Sequence, residues 1–194
     1  MNKIKDKISF NSPVILGFTA VCLFSLILGL ITDGETNRLF FSVYRSSLFN
    51  PLTYLRLFTH VCGHASFEHF MGNITLILVI GPLLEEKYGS KNMLFVILST
   101  ALVTGLANFI LFPNIALLGA SGIVFALILL ASFTGMQDSK IPLTFILVAV
   151  IYFGEQIYQG IFVNDNISNF THILGGVCGA VLGNVMNKQK MSRY

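Results

Sequence analysis

From Asn92 to Gln137 the chain carries no charged residue. A membrane-spanning helix needs about 20 mostly apolar residues, so this interval is too long for one span and long enough for two. Pro113-Asn114 divides it, because proline disfavours continuing a helix and restricts the residue before it. Helices are expected at about 92–111 and 120–136.

The rest of the chain follows the same pattern. It is 54% hydrophobic and 11% charged, with a mean hydropathy of +0.76, where a soluble domain carries about 25% charged residues. Such a chain cannot cover a water-facing surface, and its length suits one domain. Further helices are expected at Pro13–Ile31 and at about 66–88, 141–158 and 170–187. The stretch 32–56 is too mixed to span. The basic leader "MNKIKDKISFNSP" resembles the start of a signal peptide. The apolar run behind it exceeds the roughly 7–15 residues of a signal core, however, and no A-x-A-like cleavage site follows. It is expected to stay as the first membrane helix. The fold class expected is all-α: a polytopic membrane protein with six transmembrane helices over 13–187, a cytoplasmic tail at 1–12 and another at 188–194.

Charge distribution gives the orientation. Six helices put both termini on one side. Segments on that side carry Lys3, Lys5, Lys7, Lys87, Lys91, Lys140, Lys188, Lys190 and Arg193, and the opposite segments carry Arg38, Arg45 and Arg56. By the positive-inside rule both termini are cytoplasmic. The net charge of +3 is then a topology signal and requires no nucleic-acid partner. Three cysteines, Cys22, Cys62 and Cys178, form no disulfide framework or CxxC motif and are expected to be small buried apolar residues.

This topology brings polar residues to one level. The second, fourth and sixth helices all enter from the outer face. Ser121 opens the fourth, His172 opens the sixth, His69 and Asn73 lie early in the second, and His60 and His64 precede it. Ionisable residues at membrane depth are costly and usually functional. In "LLGASGIVFAL" a serine sits between glycines at a helix start, where free N–H groups and a positive dipole suit a developing oxyanion. The fourth helix is short, so its serine is expected below the surface under non-helical backbone. Such backbone is tolerated where it is buried in protein or lines a water-filled space. Gly175, Gly179 and Gly183 recur four apart behind His172. They permit close helix packing, which would also bring His172 toward Ser121; a base must come within about 3 Å of the hydroxyl it deprotonates. His69 and Asn73 are spaced i, i+4 and share a helix face. They could donate hydrogen bonds to an oxyanion or join helices. Four histidines could also hold a metal, although no acidic residue or cysteine joins them with ligand spacing.

"LRLFTHVCGHASFEHFMGN" (55–73), "GASG" (119–122) and "HILGGVCGAVLG" (172–183) together resemble the rhomboid family of intramembrane serine proteases, over nearly the whole chain and on the second, fourth and sixth helices. The resemblance implies a Ser121–His172 dyad, with Gly119 and Gly122 flanking the nucleophile. It implies an oxyanion site of His69, Asn73 and the Ser121 N–H, structural roles for His60 and His64, and a structural carboxylate at Glu85. The segment "QGIFVNDNISNF" would be a lid, with the fifth helix a substrate gate. Two positions depart from the family pattern. Leu55 precedes Arg56 where tryptophan is frequent, and Phe125 stands where tyrosine is frequent. Phe125 shares the face of Ser121 and is expected to stack on His172. No third acid is evident; neither Asp165 nor Glu155 is placed on His172 by the sequence.

The expected activity is therefore serine-type endopeptidase action on transmembrane protein substrates in the plasma membrane, with the lipid bilayer as partner and the site open to the outer face. No cofactor and no metal is expected. The alternatives are a catalytically inactive rhomboid-like binder of membrane proteins and a histidine-rich metal-binding membrane protein.

Overall fold

The computed structural model describes residues 10–134, 140–162 and 166–191. Among them the chain is helical, with one isolated antiparallel bridge between Val43 and Leu117. The helices are α1 (Pro13–Ile31), α2 (Glu35–Phe40), α3 (Pro51–Thr59), α4 (Phe67–Tyr88), α5 (Ser90–Leu111), α6 (Ser121–Ser132), α7 (Leu143–Phe162) and α8 (Asn166–Met191), with a 3₁₀ turn at His60–Cys62 between α3 and α4. The lysines at 3, 5 and 7, Asp165 and Arg193 lie outside the described residues, as do the side chains of Glu155, Lys188 and Lys190 and those of 159–168 in the expected lid.

Local chemistry accounts for the helix limits. Pro13 opens α1, where its missing N–H costs nothing. Val14 and Ile15 donate their N–H groups to the Glu85 carboxylate at 3.0 and 2.9 Å. Ser90 donates to the same carboxylate at 2.7 Å. Asn50 caps α3 by accepting the Leu52 N–H at 3.0 Å, and Ser66 caps α4 by accepting the His69 N–H at 3.1 Å. Gly89, at φ 85°, makes the reversal between α4 and α5 in a conformation that disfavours other residues.

Among the described residues three helices, α1, α4 and α5, are long and apolar enough to cross a membrane, and α6 is a shorter apolar helix. Their side chains are apolar on both sides. Ile15, Ile77, Met93, Val96, Ile123 and Leu130 form the interior, while Leu30, Val79, Leu83, Phe95 and Ile110 are exposed. Water would not favour that outer surface, and lipid would.

The structure alters several expected boundaries. The helix expected at 120–136 is α6, which ends at Ser132. Its 12 residues span about 18 Å at 1.5 Å per residue. Turn bonds from Phe133 and Thr134 to the carbonyls of Leu130 and Ala131 close it. The last helix begins at Asn166 and runs to Met191, where 170–187 was expected, so it passes the expected domain limit at 187. The helix expected at 141–158 lies at Leu143–Phe162. The mixed stretch 32–56 holds α2 and the start of α3.

The short helix α6 packs along α8, with α4 and α5 also against it. A Cβ at Gly175 would overlap the Gly122 carbonyl, and one at Gly179 would overlap the Ala126 carbonyl. These two glycines let the backbones touch. Asn187 ties the far end, accepting from the Tyr88 hydroxyl at 3.0 Å and donating to the Phe133 carbonyl. Cys22 and Cys62 are buried and unpaired, and Cys178 is half-buried.

Candidate active site

The loop between α5 and α6 delivers Ser121. Pro113 follows the end of α5, and the chain then runs extended beside residues 41–47. Val43 and Leu117 exchange backbone hydrogen bonds, both at 2.9 Å, and Gly119 donates its N–H to the His60 carbonyl at 3.0 Å. Gly119 takes φ 135°, and a Cβ there would lie 2.8 Å from His69 Cε1 and 2.9 Å from Nε2. Glycine is required twice over, once by conformation and once by the ring against it. The chain then enters α6 with Ser121 as first residue. No side chain caps this helix, so its first-turn N–H groups stand outside the intrahelical ladder.

His172 lies in the second turn of α8. Gly122 faces the carbonyl of Thr171, its neighbour, with a Cβ-position separation of 3.8 Å. The Phe125 ring, one turn into α6, lies 4.5 Å from the His172 ring, centroid to centroid, at 42°.

Ser121, His172, His69 and Asn73 line one cavity of about 370 Å³. Its remaining walls are Leu76, Leu117, Leu118, Val124 and Phe125. The Asn73 Nδ2 is buried and has no hydrogen-bond partner among the described residues. A residue joining helices would have that partner. An unpartnered amide N–H on a residue that shares a cavity with a serine at a helix start is a donor that an oxyanion could use.

The other two histidines lie outside this cavity. His60 is buried, with Nδ1 3.2 Å from the Arg56 carbonyl oxygen and Nε2 3.3 Å from Thr104 Oγ1. His64 is buried with Nδ1 3.1 Å from the Cys62 carbonyl oxygen. Its ring packs edge-on to His69 at 5.2 Å and to Phe70 at 5.3 Å. Burial pushes both pKa values down from 6.5 to about 4, with the His69 charge adding a smaller push at His64. Both rings are neutral at neutral pH. Among the described residues no group of three or more His, Cys, Asp or Glu side chains is arranged to hold a metal ion.

Arg56 organises the loop before α3. It donates to the Leu52 carbonyl at 3.0 Å and to Ser46 Oγ at 3.1 Å. It also donates to the Tyr44 hydroxyl, and its guanidinium lies 4.3 Å from the centre of the Tyr44 ring. Leu55 beside it is exposed, so the residue that departs from the family pattern faces outward and the arginine is engaged.

Sequence reasoning missed Asn108. It is fully buried near the end of α5 and donates from Nδ2 to the carbonyls of Val43 and Ile115, each at 3.0 Å. A signal was available: an asparagine inside the charge-free interval is a polar group at membrane depth.

The sequence matches the family model of the Rhomboid domain over residues 51–189. The rhomboid protein YdcA of Bacillus subtilis is 28% identical over 147 residues, covering 71% of this chain and 69% of the relative. Rhomboid-related protein 2 of Mus musculus is 31% identical over 158 residues, covering 69% and 51% respectively. Rhomboid protease GluP of Bacillus subtilis is 28% identical over 170 residues, covering 84% of this chain and 32% of GluP. The chain thus spans about half the mouse protein and about a third of GluP.

Proposed function

Because the chain belongs to the rhomboid family, we propose that it is an intramembrane serine endopeptidase that cleaves peptide bonds in or near transmembrane segments of other proteins. Ser121 attacks the scissile carbonyl carbon, and its proton passes to His172. The carbonyl oxygen becomes an oxyanion, held by the Asn73 amide, the His69 ring and the Ser121 N–H. Collapse of the tetrahedral intermediate breaks the C–N bond, and His172 returns the proton to the leaving amine. Water repeats the sequence on the acyl-enzyme and frees Ser121. Phe125 supports the imidazole from beneath. His60 and His64 act behind the site as neutral packing groups, with His64 against His69.

The observation that carries this reading is the unpartnered amide nitrogen of Asn73, a residue lining the cavity with Ser121 and His172. The short α6 supports it as well, since a helix of about 18 Å leaves its serine below the surface of a membrane about 30 Å thick. The protein is proposed to lie in the plasma membrane as six spans over 13–187, with both ends cytoplasmic and the cavity opening outward. Substrates would carry helix-destabilising residues, because a helix hides its peptide bonds in hydrogen bonds.

The test is cleavage of a transmembrane substrate by purified protein in detergent, wild type beside Ser121→Ala, together with labelling by a fluorophosphonate. Cleavage and labelling by wild type alone are expected. Retained cleavage in Ser121→Ala would sink the nucleophile assignment. A wild type inert to substrate and probe would leave an inactive rhomboid-like binder of membrane proteins.

A further inference from the structure

We propose that Asn108 is a positioning residue for Ser121, acting through the loop that carries the serine; this rests on the protease reading above. The loop 112–120 contains no helix. Phe112 and Ile115 make local turn bonds to the carbonyls of Asn108 and Phe112, and longer-range bonds join Leu117 to Val43 in both directions and the Gly119 N–H to the His60 carbonyl. One side chain adds to these. Asn108 Nδ2 donates to Ile115 within the loop and to Val43 across from it, each at 3.0 Å. The Val43 carbonyl thus receives both the Leu117 N–H and the Asn108 amide. One primary amide on a rigid helix holds both sides of the bridge.

The location gives the clasp its effect. Leu117 and Leu118 wall the cavity, Gly119 abuts His69, and Ser121 follows two residues later. Ile115 and Leu117, both held at the clasp, are thus within six residues of the nucleophile. Asn108 itself is fully buried and is absent from the cavity lining. Its backbone carbonyl closes α5 normally, accepting the Phe112 N–H at 2.9 Å, so the side chain is not needed to end the helix. A carbonyl can rotate and the chain can drift when a donor is lost, and a misplacement near 1 Å can cost about 100-fold in rate even from a site remote from the chemistry.

The experiment compares purified wild type, Asn108→Leu and Asn108→Gln in detergent. Leucine is close to asparagine in shape and removes both donated hydrogens, whereas glutamine restores the amide. Three quantities are read: kcat and KM on a transmembrane substrate, the rate of fluorophosphonate labelling per folded molecule, and the thermal unfolding midpoint. Asn108→Leu is expected to lower kcat and the labelling rate together by roughly 10–100-fold, with KM changed by less than about threefold. Asn108→Gln is expected to recover most of that loss. Equal labelling per folded molecule in Asn108→Leu and wild type would overturn the proposal, and so would a loss that only tracks the folded fraction. Should Asn108→Leu not fold, Asn108→Ser, smaller and with one donor, carries the same comparison with the same overturning result. A wild type that neither cleaves nor labels defeats the protease reading, and this inference falls with it.

Discussion

The first turns of α1 and α6 treat the N–H groups that every helix start leaves over in opposite ways. At α1 every one is accounted for. Pro13 has none, Val14 and Ile15 donate to the Glu85 carboxylate, and Leu16 donates to the Ser12 carbonyl. At α6 the preceding residue is Ala120, no side chain caps the helix, and the Asn73 amide nitrogen, on a residue lining the same cavity, is itself without a partner among the described residues. A permanent anion fills one helix end. In the proposed mechanism the other serves an anion that exists only while a peptide bond is being broken. On that reading the filled end stabilises the fold and the other end a transition state.

The contrast breaks most visibly at Asn73. Asn73→Ala removes a cavity-lining residue whose amide nitrogen has no partner among the described residues. It is expected to lower kcat by roughly 10–1000-fold, up to about 4 kcal/mol, with the unfolding midpoint close to wild type. Loss of folding without a specific loss of rate would return Asn73 to an interhelical role. Glu85→Ala is the counterpart at the filled end. It strands two N–H groups in a buried site and is expected to lower stability by about 2–4 kcal/mol, read as a lower unfolding midpoint, with labelling of Ser121 per folded molecule unchanged. A labelling rate that fell as steeply as stability would mean that the two ends are not independent.

Much of this organisation is legible in the sequence, and the limits have physical causes. Hydropathy located α1 to the residue and α4 and α5 to within two residues, because long apolar runs in lipid have few alternatives to helix. It failed at both ends of the site. α8 begins at Asn166 because a polar turn of Asn and Ser can be helical when the helix behind it is anchored, and hydropathy treats such a turn as loop. α6 ends at Ser132 although uncharged residues continue to Gln137, because a turn, not a charge, stops it. The short helices α2 and α3 were hidden for a related reason. Six and nine residues are too few to display a period. Motif spacing brought Ser121, His172, His69 and Asn73 into consideration, and all four line one cavity. Asn108 escaped because its partners are backbone carbonyls of loops, and backbone partners leave no mark in a sequence.

The histidines divide by position. His60 and His64 have backbone carbonyl partners and lie behind the site, whereas His69 and His172 line the cavity. A buried histidine held near pKa 4 takes up its proton on unfolding at any pH between about 4 and 6.5. Its unfolded form is therefore favoured as pH falls. Stability is expected to be level above pH 6.5 and to decline below it, by about 1–2 kcal/mol for each histidine on reaching pH 5. Unfolding midpoints across that range measure it, and His64→Phe, which keeps an aromatic ring against Phe70, should flatten the slope. A stability that rose on acidification would contradict the burial of these rings.

The smallest effect sharpens the comparison at the open end. Phe125 occupies the turn of α6 behind Ser121 and meets the His172 ring at 4.5 Å. If the contact with His172 is one of ring against ring, a hydroxyl added at the far edge changes little, and Phe125→Tyr should alter kcat by less than about threefold. Phe125→Leu, which keeps apolar bulk and loses the flat face against the His172 ring, should cost more. A tenfold or greater gain in Phe125→Tyr would show instead that the imidazole lacks a hydrogen-bonding partner that tyrosine supplies. Packing alone would then be an incomplete account of how the base is oriented.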